Sequence, residues 1–227
     1  MMLMLSERSS MTIFDPTFPC AIANPTPEGE RTGIKWWLDH WTEHDRQLTV
    51  WTHTKKGAYA NENVSRLLSN KEVSHTTSQL HIFSAYGPIL AMYPNVVDLG
   101  DIMRAVGTTA LCVIRGDDLS LWSEEVRAEF LTQNDVSASP VILADNVREM
   151  LHVTSEMLNL NNSIGGNGTD KSMLIKRMLE LHDDGVIFNP TAMAEWAAAH
   201  GWSSKNIQHL MKYASDINSG KRPQYQY

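Results

Sequence analysis

The segment from Gly87 to Gly116 constrains the fold of this chain more than any other. Pro88-Ile-Leu-Ala-Met-Tyr93 is a near-continuous apolar run of strand length, the pattern of a strand covered on both faces. Leu99, Ile102, Met103 and Val106 then recur at i, i+3, i+4 and i+7, one apolar stripe on a short helix. Asp98 is the expected N-cap of that helix and Gly107 its C′ residue. Ala110-Leu-Cys-Val-Ile114 reads as a second buried strand. Two buried strands joined through one helix by tight connections call for a parallel pair with a right-handed crossover. The expected fold is therefore α/β, with a small parallel or mixed sheet.

The flanks divide around this unit. Residues 1–31 carry Pro16, Pro19, Pro25 and Pro27 without sustained periodicity, which predicts an extended or disordered arm. Ile34, Trp37, Leu38 and Trp41 have helical spacing and predict a helix over 32–47. Leu48 to Thr54 alternates apolar and polar residues, the signature of a strand, and Lys55 to Gly57 would be its turn. Ile82 and Phe83 are candidates for a further strand. After Pro140 the patterns are helical. Val147, Met150, Leu151 and Leu158 mark a long helix, 161–168 is a Gly/Asn loop, and three more helical stretches follow. The expected division is an arm at 1–31, an α/β domain at 32–139, an all-α domain at 140–219 and a flexible basic tail at 220–227.

Composition narrows the functional classes. No run approaches the roughly 18 apolar residues of a membrane span, so no membrane role is expected. The stretch Met1 to Met11 lacks the basic leader and long apolar core of a secretory signal. Cys20 and Cys112 lie in unlike contexts and imply no disulfide framework. A cytoplasmic protein is the expectation. The formal net charge is −7, and all but one unit of it falls before residue 140. From Thr191 onward the chain is locally basic.

The C-terminal stretch has features of its own. Asn189 or Thr191 can cap a helix running to His200, Gly201 breaks it, and Ser203 or Ser204 can cap another helix running to Ile217. Ala197, Gly201, Ile207 and Leu210 have the spacing of a helix-turn-helix unit, which residues 171–217 resemble. A small residue lets the helices approach, glycine permits the turn, and the aliphatics lock the second helix onto the first. The resemblance implies recognition of DNA or a protein partner. The contacting face would be Ser204, Lys205, Asn206, Gln208, His209 and Lys212, with Lys221 and Arg222 touching backbone phosphates nearby. His200 departs from the pattern, which usually has an apolar residue there, and Trp202 is bulky for it. An acidic chain withholds general attraction for nucleic acid, so such binding would lean on a homo-oligomer or a partner.

His40-Trp-Thr-Glu-His44 reads H-x-x-E-H and resembles the inverted zinc signature of metal-dependent peptidases. The resemblance implies His40 and His44 as ligands one helical turn apart, Glu43 as the carboxylate that polarises water, and Glu124 or Glu125 as a third ligand. Gly165 to Ser172 looks superficially like a phosphate-binding loop, but no strand feeds it and Asp170 stands where a glycine should precede the lysine. It reads as a loop whose Thr169 or Asp170 caps the next helix. Asn95 follows the first strand of the central unit, and Asp117 and Asp118 follow the second. In open parallel sheets ligands collect at those carboxyl ends. The leading expectation is a non-catalytic recognition protein acting through the helix-turn-helix-like unit. The alternative is a metal-dependent hydrolase using the H-x-x-E-H segment or the strand-end carboxylates.

Overall fold

The computed structural model describes residues 16–81, 83–132, 142–158, 163–166 and 168–224. Met1 to Met11, Ile82 and the loop residues Asn161, Asn162 and Asn167 therefore lie outside the described residues.

Among those residues the strands are β1 (Cys20–Ala23), β2 (Leu48–Thr52), β3 (Val73–Thr77), β4 (Ser84–Met92), β5 (Val106–Ile114) and β6 (Glu129–Phe130). They form one sheet in the order β3-β2-β4-β5-β1-β6. Every pairing is parallel, so the fold is α/β as expected. The helices of the first half are α1 (Pro27–Asp39), α2 (Lys55–Ala60), α3 (Glu62–Leu67), α4 (Val96–Met103) and α5 (Ser120–Glu125). A right-handed crossover puts its helix on a face decided by the direction in which the chain steps along the sheet. Steps from β1 to β2 and from β2 to β3 run one way; steps from β4 to β5 and from β5 to β6 run the other. Accordingly Ala21, Val50, Leu90 and Cys112 pack with Trp37 of α1 and Val64 of α3. Ile22, Trp51, Ile89, Leu111 and Val113 pack on the opposite face with Leu99 of α4 and Trp122 of α5.

The second layer is thicker because α6 (Asp145–Leu158), α7 (Thr169–Asp183), α8 (Pro190–Ala199) and α9 (Ser204–Asn218) join it. Helix α8 contacts α4, α5 and α9, and every residue from Ala192 to Ala199 is buried. A helix apolar on all sides must be enclosed on all sides. The C-terminal helices and the sheet thus share one continuous core.

Several expectations need correction. Residues 20–31 are not an arm. Cys20 to Ala23 form β1 between β5 and β6, and α1 already starts at Pro27. The cause is the short run Cys20-Ala-Ile-Ala23, whose four residues are all buried and whose prolines only flank it. Helix α1 spans 27–39 instead of 32–47, because Thr26 caps it by accepting from Gly29 N–H at 3.0 Å and the next residue is a proline suited to a first turn. Lys55 to Ala60 is a helix capped by Thr54, not a turn. Asn95, not Asp98, caps α4, its side chain accepting from Asp98 N–H at 2.8 Å. Gly107 does not close α4: it is the second residue of β5, at φ 76°, against Tyr86 in the irregular start of β4. Neither Thr169 nor Asp170 caps α7, whose N-cap is Gly168.

Candidate functional site

Strands β2 and β4 are neighbours whose outgoing connections leave in opposite directions and onto opposite faces. Such divergence is the topological switch point at which open parallel sheets bind ligands, in the crevice outside the carboxyl ends of the strands. The side chains around it are polar and come from distant parts of the chain.

On the face of α1–α3, the Glu30 carboxylate in the first turn of α1 collects three donors. The Tyr93 hydroxyl donates to Oε1, Asn61 Nδ2 donates to Oε1 at 3.2 Å, and Asn63 Nδ2 donates to Oε2 at 2.7 Å. Tyr93 follows directly on β4 and holds φ at 52°, a left-handed conformation costly for a bulky side chain. Burial and the bond to Glu30 push its phenol well above the ordinary range, so the ring keeps its proton and donates. Asn61 also caps α3 through Val64 N–H at 3.1 Å, which anchors the junction that carries both amides.

On the face of α4, His53 follows directly on β2, and its Nδ1 lies 3.0 Å from Asp98 Oδ2. In the tautomer that donates from Nδ1 to this carboxylate, Nε2 offers a lone pair. Burial raises the Asp98 carboxyl from its usual range, and the bond from His53 works against that rise. The backbone here is fixed by a bond from Ser78 Oγ to His53 O at 2.8 Å. At the neighbouring strand end, Arg115 Nε donates to Asn24 Oδ1 at 2.9 Å and the guanidinium stands 3.6 Å from Asp118.

Of the expected site residues, Asn95 serves as a helix cap beside this crevice, while Asp117 and Asp118 are exposed one strand away. The H-x-x-E-H segment does not lie on one helical face. Helix α1 ends at Asp39, so His40 is its C-cap and Glu43 and His44 fall in the following exposed loop. His40 Nδ1 bonds the Trp36 carbonyl at 2.8 Å and its ring stacks on Trp36 at 3.6 Å. Of the expected third ligands, both on α5, Glu125 is buried and paired with Arg148, and Glu124 is exposed. Among the described residues no group of three or more His, Cys, Asp or Glu is arranged to hold a metal ion.

The expected recognition face is divided. Gly201 makes the turn between α8 and α9 at φ 68°, where an L side chain would be strained, and Ser203 caps α9 by accepting from Asn206 N–H at 3.3 Å. Ser204 and Asn206 face inward rather than toward solvent. Ser204 N–H donates to Asp101 Oδ1 at 3.0 Å, and Asn206 Oδ1 accepts from Ile164 N–H at 3.3 Å. Their polar type misled, because buried backbone donors need acceptors: Asn206 supplies one to Ile164, and the Ser204 N–H takes one from Asp101. His209 packs at Gly165 and stacks on Tyr213. Lys205 and Gln208 are exposed, Lys212 and Lys221 both pair with Asp216, and Arg222 pairs with Asp183 at 2.5 Å. The His200 side chain is only 5% exposed and stacks on Trp196 at 3.6 Å, which explains a histidine where an apolar residue is usual.

Sequence reasoning missed Glu30, His53, Asn61, Asn63, Tyr93 and Asp98 as a set. The readable signal was Asn95, which lies at the same carboxyl edge of the sheet but does not reveal these residues. No helix among the described residues is long and apolar enough to cross a membrane. Residues 146–227 match the model of a family described as a domain of unknown function (DUF1889), to which the segment from α6 to the end is similar. No curated protein and no solved structure matches the chain.

Proposed function

We propose that this chain binds a small hydroxyl-rich ligand, of the sugar or polyol class, in the crevice between the carboxyl ends of β2 and β4. The observation that carries the reading is the Glu30 carboxylate of α1, which draws together Tyr93 from the end of β4 and Asn61 and Asn63 from the start of α3. Acceptor capacity remains on Glu30 Oε2 and on the Asn63 amide oxygen, and His53 Nε2 adds a lone pair across the crevice. A cluster of acceptors of this kind is met by ligand hydroxyls, and His53, oriented by Asp98, is suited to take a proton from one of them. A left-handed Tyr93 beside Glu30 is the kind of stored strain that accumulates at binding sites.

The test is thermal denaturation with ribose, glucose and inositol at millimolar concentration. A ligand present at tenfold its Kd stabilises by about 1.4 kcal/mol. The expected result is a rise in Tm with at least one of them, lost in Glu30→Gln and reduced in Tyr93→Phe. Equal shifts in wild type and Glu30→Gln, or none with any of the three, refute the reading.

A second reading keeps α9 as a recognition helix for DNA or a protein partner. The exposed Lys205 and Gln208, one turn apart beyond the Gly201 corner, favour it. The inward bonds of Ser204 and Asn206 leave it without the small polar side chains that would read bases at the helix start. Salt-dependent gel shifts abolished by Lys205→Glu would support it; binding indifferent to that substitution would reject this face.

A further inference from the structure

Helices α6 and α7 line a cavity that the crevice does not use. The inward stripe of α6 is Val147, Met150, Leu151 and Thr154, all buried. Glu149, Val153 and Met157 stand at i, i+4 and i+8, so they form a second row beside that stripe. On α7, Met173 and Arg177 stand at i and i+4, next to the buried Leu174 and Met178. The two rows border one cavity of about 200 Å³.

Its walls are apolar and open. Val153 is 50% exposed and Met173 48%, two large apolar side chains that share a cavity instead of standing singly on the surface. The thioethers of Met157 and Met173 adapt to the shape of an occupant. Thr154 also lines the space, but its hydroxyl already donates to Met150 O at 2.8 Å.

Two opposite charges join these walls. Among the described residues the Glu149 carboxylate forms no ion pair, with Arg177 or with any other cation. Arg177 Nη1 donates to Glu180 Oε2 at 3.3 Å, with both side chains about half exposed. A pair so exposed contributes at most about 1 kcal/mol and occupies one of the five guanidinium N–H groups. The cavity therefore offers a carboxylate, a guanidinium with donors to spare, and an apolar bed between the two helices.

The geometry points to this cavity as a binding site for a free α-amino acid with an aliphatic or thioether side chain. Arg177 takes the carboxylate, Glu149 takes the ammonium, and the valine, leucine and methionine walls take the side chain. A fatty acid would set its carboxylate against Glu149, and an alkylamine its ammonium against Arg177. The space is below the roughly 300–1,000 Å³ of pockets for drug-sized ligands, which matches a single amino acid rather than a peptide.

The test is calorimetric titration of the full chain with L-leucine and L-methionine, and with 4-methylpentanoate and 3-methylbutylamine, which keep the leucine side chain but carry one charge each. At least one amino acid is expected to bind, at least tenfold more tightly than either singly charged analogue. Glu149→Gln and Arg177→Gln change exposed side chains and are expected to keep the Tm of the wild type while weakening that amino acid at least tenfold. Glu149→Gln is expected not to weaken 4-methylpentanoate, which has no ammonium to lose. Absence of binding by both amino acids at millimolar concentration overturns the proposal, as does equal affinity for 4-methylpentanoate or unchanged affinity in both variants. A dimer in sedimentation that Val153→Glu dissociates would place a second copy of the chain on these walls and also overturn it. Glu30→Gln in the crevice leaves this binding untouched, so the two sites stand or fall separately.

Discussion

Replacing Glu195 with glutamine should remove one part of the pH dependence of folding. Glu195 lies in α8 and is buried, and its Oε2 accepts from the N–H groups of Leu121 at 2.9 Å and Trp122 at 3.1 Å, closing the start of α5. Burial raises its carboxyl from 4.5 to about 7; the two backbone bonds oppose the rise and Asp118 and Asp117 add to it. The folded chain therefore holds this proton more tightly than the unfolded chain does. The group's contribution to stability is fully present below pH 4.5 and is lost as pH rises through about 7. At about 1.4 kcal/mol per pH unit, the loss is roughly 3 kcal/mol. Glu195→Gln keeps an oxygen to accept both N–H groups but has no proton to lose. Urea denaturation of both proteins from pH 4 to 8 isolates the effect, because every other titrating group cancels in the difference. The stability of the variant relative to wild type should climb by roughly 3 kcal/mol across that range, or roughly 6–12 °C in Tm for a chain of this size. A flat difference, or one that falls with pH, refutes the assignment of a strained buried carboxyl at the start of α5.

Two further expectations bear on how the C-terminal helices meet the sheet layer. His200 is depressed to about 4, first by burial, against an ordinary 6.5. Wild type should thus lose stability as pH falls from 6.5 toward 4, by roughly 3 kcal/mol. His200→Phe, which keeps the stack on Trp196, should remove that acid-side loss, and parallel acid curves for the two proteins would contradict it. In α4, a Cβ at Gly100 would overlap the Trp202 carbonyl oxygen and crowd Ile207. Gly100→Ala should therefore destabilise by about 2 kcal/mol in chemical denaturation, since overlap with a backbone oxygen puts the overpacking cost near the upper end of about 1–3 kcal/mol, against a helix-propensity gain of about 1 kcal/mol. A variant as stable as wild type would mean that the α8–α9 corner does not press on α4.

What could be read along the chain was whatever depends on near neighbours. The apolar runs of β4 and β5 and the stripe of α4 have strand and helix periods that short windows reveal, and α8 and α9 announce themselves through Asn189, Gly201 and Ser203. Helix ends were harder. His40, Glu43 and His44 have helical spacing on paper, yet α1 stops at Asp39, because termination depends on where the chain must turn toward β2. Cys20 to Ala23 escaped notice since four small or apolar residues between prolines carry too little pattern to outvote their flanks.

The site needed the third dimension. Glu30, His53, Asn61, Tyr93 and Asp98 are unremarkable singly and are brought together only by the order β3-β2-β4-β5-β1-β6, in which β1 sits far from β2. Burial of Ser204 and Asn206 was likewise decided by what α4 and Ile164 place opposite them. Local sequence determines periodicity, caps and turns, because those energies arise within a few residues. Which polar groups end up facing one another, and which face water, is a property of strand order and helix layering, set by contacts between residues far apart in the chain.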